Sequence, residues 1–203
     1  EDTGAKLGEL TIPQLCEKRS KMHFGAKAES RYQVLSSAYQ MIQAGNYNCP
    51  DSFKDILRQY QETDSGLDYE YRRFYSAYDR IEDTTAFEPL RDLVENIYTN
   101  EYLETLLPKW NAAIQEPDSF MALPLQRDFY ARNLKNAKER TVVIISDAMR
   151  YEVGKELFRR MQDDPKCTAK LEVQLSVLPS YTRLGMAALL PHAELTMTDD
   201  FKG

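Results

Sequence analysis

Two polar positions carry the chemistry this sequence could do. Asp147 closes the run TVVIISD at 141–147, and Thr182 closes the group SYT at 180–182 just ahead of an apolar helical stretch. A carboxylate is a ligand for a divalent cation, and a hydroxyl attacks phosphorus once its pKa is lowered. A bound cation would lower that pKa and offset the negative charge that develops on the phosphoryl oxygens. A helix starting at the hydroxyl would add unpaired amides and about half a positive charge, which favour phosphate. Each residue also has an ordinary use. An Asp after a strand often caps a loop or helix, and a Thr ahead of a helix is commonly its N-cap. Ser180 is a second, less favoured hydroxyl, His192 reads as a surface residue and Cys167 as a plain thiol.

An α/β chain around them would bring the two together. Residues 141–147 hold four consecutive β-branched apolar residues bounded by polar ones, which predicts a strand buried on both faces. A helix is expected over 151–162, with Val153, Leu157 and Met161 on one side and Asp163, Asp164 and Pro165 ending it. Leu171, Val173, Leu175 and Val177 alternate with polar residues and predict a second strand. A helix from Thr182 to Leu190 follows, stopped by Pro191, and His192 to Met197 is expected to open a further strand. Strand, helix, strand gives a right-handed crossover in a parallel sheet, and ligands of such sheets bind beyond the carboxyl ends of the strands. That edge is where Asp147 and Thr182 would lie side by side. Gly185, one turn along, would let its helix approach the sheet closely.

The preceding two thirds read as helices. Tyr32, Leu35, Tyr39 and Ile42 form one stripe, and Gly45-Asn46 stops it. Phe53, Ile56, Leu57 and Tyr60 form a second, with Ser52 and Asp55 as a capping box. Tyr71, Phe74, Tyr75 and Tyr78 form a third; Leu90, Leu93, Val94 and Ile97 a fourth. A short helix follows Thr11, with Pro13 in its first turn, and a last one is expected over about 125–139. The texture changes at 116–125, so residues 1–124 are expected to form a helical region and 125–203 an α/β one. Tyrosines at helical spacing beside Leu and Ile read as core packing rather than as a platform for nucleic-acid bases.

Composition narrows the classes. The 203 residues carry a net charge of −6, which excludes binding to nucleic acid through bulk positive charge alone. The acidic excess lies almost wholly in residues 1–140, which favours protein partners there. Three widely spaced cysteines without a CxxC pair imply reduced thiols, and two histidines give little basis for a His/Cys zinc site. No apolar run is long enough to span a membrane, and the polar start EDTGAKLGEL is no signal peptide. A cytoplasmic protein is expected. The start also lacks Met, as a piece of a longer protein would.

The segment VVIISDAMRYEVGKEL at 142–157, followed by SVLPSYTRLGMAALLPH at 176–192, resembles the PglZ-domain family, bacterial phage-defence proteins of the BREX and phage-growth-limitation type within the alkaline phosphatase-like superfamily. LDYEYRRFYSAYDRI at 67–81 and LVENIYTNEYLETLLPKW at 93–110 resemble the region that precedes this domain in the family. The resemblance implies that Asp147 is a metal-ligand carboxylate. It also implies that Thr182, in a motif resembling P-x-x-T, is the nucleophile and touches metal, usually zinc. Arg150 and Glu152 lie in the first motif without an assignable role. The superfamily completes its metal sites with later Asp and His motifs, which His192, Asp199 and Asp200 do not match. The expectation is a piece of a metal-dependent phosphodiesterase or nuclease, itself inactive. Its partners would be other defence proteins and a phosphate-ester or nucleic-acid substrate, with no membrane. The alternative is a phosphatase-like scaffold that docks partners without catalysis.

Overall fold

The computed structural model describes residues 10–23, 25–115 and 123–196; positions 116–119, Met197, Asp199 and Asp200 lie outside them. The chain divides into two compact units, Glu1–Ser119 and Phe120–Gly203.

The first unit is helical. Helix α1 (Ile12–Ser20) starts at Thr11, whose backbone N–H donates to Gln14 Oε1 at 2.9 Å. Helix α2 (Glu29–Gln43) follows a tight turn at Gly25. Helix α3 (Phe53–Gln59) is capped by Ser52, whose Oγ accepts the Asp55 N–H at 3.2 Å. Asp55 turns its carboxylate onto the Ser52 hydroxyl rather than the Ser52 backbone, so half of the expected capping box forms. From α3 the chain runs through a π-helical turn (Tyr60–Asp64) into α4 (Ser65–Tyr78). Helix α5 (Glu88–Asn96) likewise passes through a π-helical turn (Ile97–Leu103) into α6 (Glu104–Ala113). The four expected stripes fall on α2, α3, α4 and α5, but α2 buries Val34, Ala38 and Met41 rather than the expected face, leaving Leu35 exposed, and Leu93 of α5 is exposed too.

Faces of α2, α4 and α5 and the segments next to them make one core. Val34, Ala38 and Met41 of α2 meet Leu67, Phe74, Ala77 and Tyr78 of α4, closed by Ile81, Val94, Ile97 and Tyr102. The tyrosines pack there as rings: Tyr71 stacks on Tyr98 with centroids 3.7 Å apart, and Tyr47 meets Tyr102 edge-on at 4.9 Å. Several hydroxyls find carboxylates, while those of Tyr78 and Tyr102 are buried without a hydrogen-bond partner among the described residues. Tyr71 and Tyr75 donate to Glu95 Oε2 at 2.9 and 2.6 Å. Tyr60 and Tyr98 donate to Asp68 at 2.6 and 2.8 Å, and Tyr47 donates to buried Asp64 at 2.7 Å.

The second unit departs from its expectation. Helices α7 (Phe129–Asn133), α8 (Tyr151–Gln162) and α9 (Thr182–Leu189) form, but α7 is far shorter than the helix expected over 125–139. Residues past Asn133 offer no apolar stripe to bury. Among the described residues no sheet ladder forms: residues 141–147 and 171–177 are not paired strands, and His192 to Thr196 is not a strand. One isolated parallel bridge joins Leu125 to Leu175, with Gln126 N–H donating to Leu175 O at 2.8 Å and Leu175 N–H to Pro124 O at 2.9 Å. A strand exists only through its neighbours, because its backbone groups have no partner within the segment. Residues 142–145 therefore stay exposed instead of being buried on both faces, with Val142 at 74% and Ile144 at 87%. The alternation at 171–177 survives as burial, apolar residues half-covered and polar ones exposed. Among the described residues of this unit only Glu152 and Ala188 are buried.

Candidate functional site

Asp147 ends the extended segment and starts a reversal. Ala148 takes φ 54°, a left-handed conformation that costs a residue with a Cβ about 1–2 kcal/mol. Its N–H donates to Asp147 Oδ1 at 3.0 Å, so the carboxylate and the turn fix one another. Arg150 is extended and serves as the N-cap position of α8. Glu152, in the first turn of α8, is buried at 2% exposure, where the helix N-terminus favours a carboxylate.

Thr182 arrives from the other side. The loop 178–181 contains a cis Leu178–Pro179 peptide and the Tyr181 N–H donating to Pro179 O at 3.0 Å. Tyr181 is the N-cap of α9 and extended, so Thr182 is the first helical residue and its hydroxyl caps nothing. That hydroxyl faces Asp147 instead: Thr182 Oγ1 lies 3.4 Å from both Oδ1 and Oδ2. Residues 35 apart in sequence are thus brought to one exposed point at the mouth of α9. Ser180 lies exposed beside it. His192 Nδ1 is 2.7 Å from Leu190 O, and Cys167 is an exposed thiol.

A separation of 3.4 Å is longer than the usual 2.5–3.0 Å of a hydroxyl–carboxylate hydrogen bond. It matches the distance between two oxygens that share one tetrahedral cation at about 2.1 Å each, which is about 3.4 Å. The donor pair therefore fits part of a site for a hard divalent ion. It fits no complete one: among the described residues, no group of three or more His, Cys, Asp and Glu side chains could hold a metal.

Sequence reasoning missed Gln126, which touches the segments on both sides of Thr182. Its Oε1 accepts the Val177 N–H at 3.0 Å and its Nε2 donates to Gly185 O at 3.2 Å. A lone glutamine has no motif to betray it. The close neighbour of Gly185 is this amide, 3.4 Å from where a Cβ would stand, rather than a sheet. A cleft of about 960 Å³ opens next to it, lined among others by Leu175, Leu184, His192 and Glu194.

Comparison with known proteins agrees with the motifs. Residues 128–202 match the BREX system PglZ alkaline phosphatase-like domain. The chain is 37% identical over 198 residues to an alkaline phosphatase-like protein PglZ of Bacillus cereus (strain H3081.97), covering 92% of this chain and 23% of that protein. It is 34% identical over 200 residues to an alkaline phosphatase-like protein BrxZ of Escherichia coli O9:H4 (strain HS), covering 89% of this chain and 23% of that protein. No solved structure matches. The chain thus spans less than a quarter of the length of these relatives, and it belongs to the PglZ family of alkaline phosphatase-like proteins.

Proposed function

We propose that this chain contributes the nucleophile and one metal ligand to a metal-dependent phosphohydrolase, phosphodiesterase- or nuclease-like, of a bacterial BREX-type phage-defence system. Residues 1–124 are its helical region, and 125–203 open an alkaline phosphatase-like parallel sheet whose further strands and ligands come from outside this segment. The observation that carries the reading is the approach of the Thr182 hydroxyl to the Asp147 carboxylate at the mouth of α9. Asp147 and Thr182 would hold a divalent ion, zinc by the habit of the superfamily. When bound, that ion supplies positive charge that lowers the hydroxyl's pKa and offsets charge on the phosphoryl oxygens.

The chain's own residues do the rest. The first-turn amides of α9 have no carbonyl within the helix to donate to, and they face an anion at that end. Thr182 Oγ bonds to phosphorus as the ester oxygen leaves, and water then hydrolyses the phosphothreonine. The substrate is a phosphate ester, nucleic acid included, the partners are the other proteins of the defence system, and the compartment is the cytoplasm.

The test is hydrolysis of bis(p-nitrophenyl) phosphate by the full-length protein. Thr182→Ala is expected to lower kcat at least about 1,000-fold with an unchanged melting temperature. Normal turnover in that variant removes Thr182 from the role.

A second reading is a phosphatase-like scaffold that docks partners without catalysis. The acidic excess of residues 1–140, which suits protein partners, favours it. It expects a doubly substituted protein, Asp147→Ala with Thr182→Ala, to assemble with its partners and protect against phage as wild type does. Lost protection with assembly intact counts against it.

A further inference from the structure

We infer that Gln126 is the positioning residue that holds Thr182 against Asp147, an inference that rests on the nucleophile reading above. Thr182 sits in a stretch, 178–184, whose two flanks are Val177 and Gly185. The Gln126 side chain bonds both: its carbonyl oxygen takes the Val177 N–H at 3.0 Å and its NH2 reaches Gly185 O at 3.2 Å. Its own backbone is pinned by the Gln126 N–H to Leu175 O bond at 2.8 Å. One planar amide therefore closes the nucleophile loop at its base. At neutral pH only an amide of this length offers an acceptor and a donor on one carbon. Glutamate keeps the acceptor but sets a second oxygen against the Gly185 carbonyl; methionine keeps the length and loses both bonds.

Gly185 borders the same amide: a Cβ there would stand 3.4 Å from Gln126 Nε2, an ordinary van der Waals contact. Thr182 itself forms none of these bonds, so Gln126 acts on it only through the loop and α9. Small errors of placement are costly for a nucleophile: about 1 Å is worth about 100-fold in rate.

Two measurements on the full-length protein test this. The first is amide hydrogen exchange. Gln126→Met is expected to speed exchange in peptides covering 177–185 while those covering α8 keep their protection. Unchanged exchange at 177–185 overturns the inference whatever the enzyme does. The second is hydrolysis of bis(p-nitrophenyl) phosphate. Gln126→Met is expected to lower kcat about 10- to 100-fold with KM changed little. Gln126→Glu should lose activity at neutral pH and recover part of it as pH falls, because a protonated carboxyl again offers both a donor and an acceptor. A destabilised fold would show no such recovery. Faster exchange with wild-type kcat, in a protein that Thr182→Ala inactivates, also overturns the inference. Wild-type turnover in Thr182→Ala sinks the nucleophile reading instead, and exchange alone then decides whether Gln126 holds the loop.

Discussion

At the scale of single residues, tyrosine hydroxyls in the helical unit keep Glu95 charged. Glu95 accepts from Tyr75, Tyr71 and Thr99, and the Tyr75 hydrogen bond chiefly holds its carboxyl below the usual glutamate value of 4.5, against the opposing effect of burial. A depressed folded-state pKa means that this stability is present above 4.5 and is lost as pH falls through the lowered value. Glu95→Gln should therefore cost roughly 1–2 kcal/mol at neutral pH, with the gap from wild type closing as pH falls below 4.5. Urea titrations across that range check it; a constant gap would deny the carboxylate its role. Tyr71 behaves in the opposite sense. Burial, then Glu95, pushes it up to about 12, so its contribution holds below 10 and fades as pH rises from 10 toward 12. Of the candidate site, Asp147 and Thr182 were legible as types at segment ends. Ala148 and Gln126 were not, since a left-handed alanine and a bridging amide leave no pattern in a single sequence.

At the scale of elements, legibility followed the range of the forces. The stripes on α2, α3, α4 and α5 repeat within one turn, so the residues that define each helix lie inside it. The segments at 141–147 and 171–177 depend on neighbours for every backbone bond, and their β-branched and alternating patterns named a preference without supplying the partner. Turns also depend on particular contacts. Gly25 lies between α1 and α2, where a Cβ would fall 1.7 Å from Arg19 O, so no side chain fits without moving the backbone. Gly25→Ala is expected to destabilise the helical unit by at least about 2 kcal/mol, as overpacking against backbone does. Thermal melts measure this, and an unchanged midpoint would show that the turn yields freely.

At the scale of the whole molecule, the two units differ in what they can do alone. Glu1–Ser119 contains a shared core in which Phe74, Met41, Ile56, Val34, Val94 and Tyr102 are almost wholly inaccessible. Phe120–Gly203 buries only Glu152 and Ala188 among its described residues and leaves Val142, Ile144, Leu157 and Leu178 open to water. A polypeptide of residues 1–119 is expected to melt in one cooperative transition. Residues 120–203 alone are expected to melt without cooperativity and to enhance ANS fluorescence, which reports loosely packed apolar surface. Calorimetry of the two pieces checks the contrast, and a sharp transition in the second would contradict it.

The tyrosine–carboxylate pairs carry one more implication. Lysine and arginine are largely absent from these contacts, and a phenol is a neutral donor whose hold on an oxygen acts over a few ångströms. Dissolved ions screen charge against charge over about 8–10 Å, and they find little here to screen. These contacts should therefore hold through swings in ionic strength that weaken the exposed ion pairs of the same unit, such as Lys21–Glu17 and Arg58–Asp55.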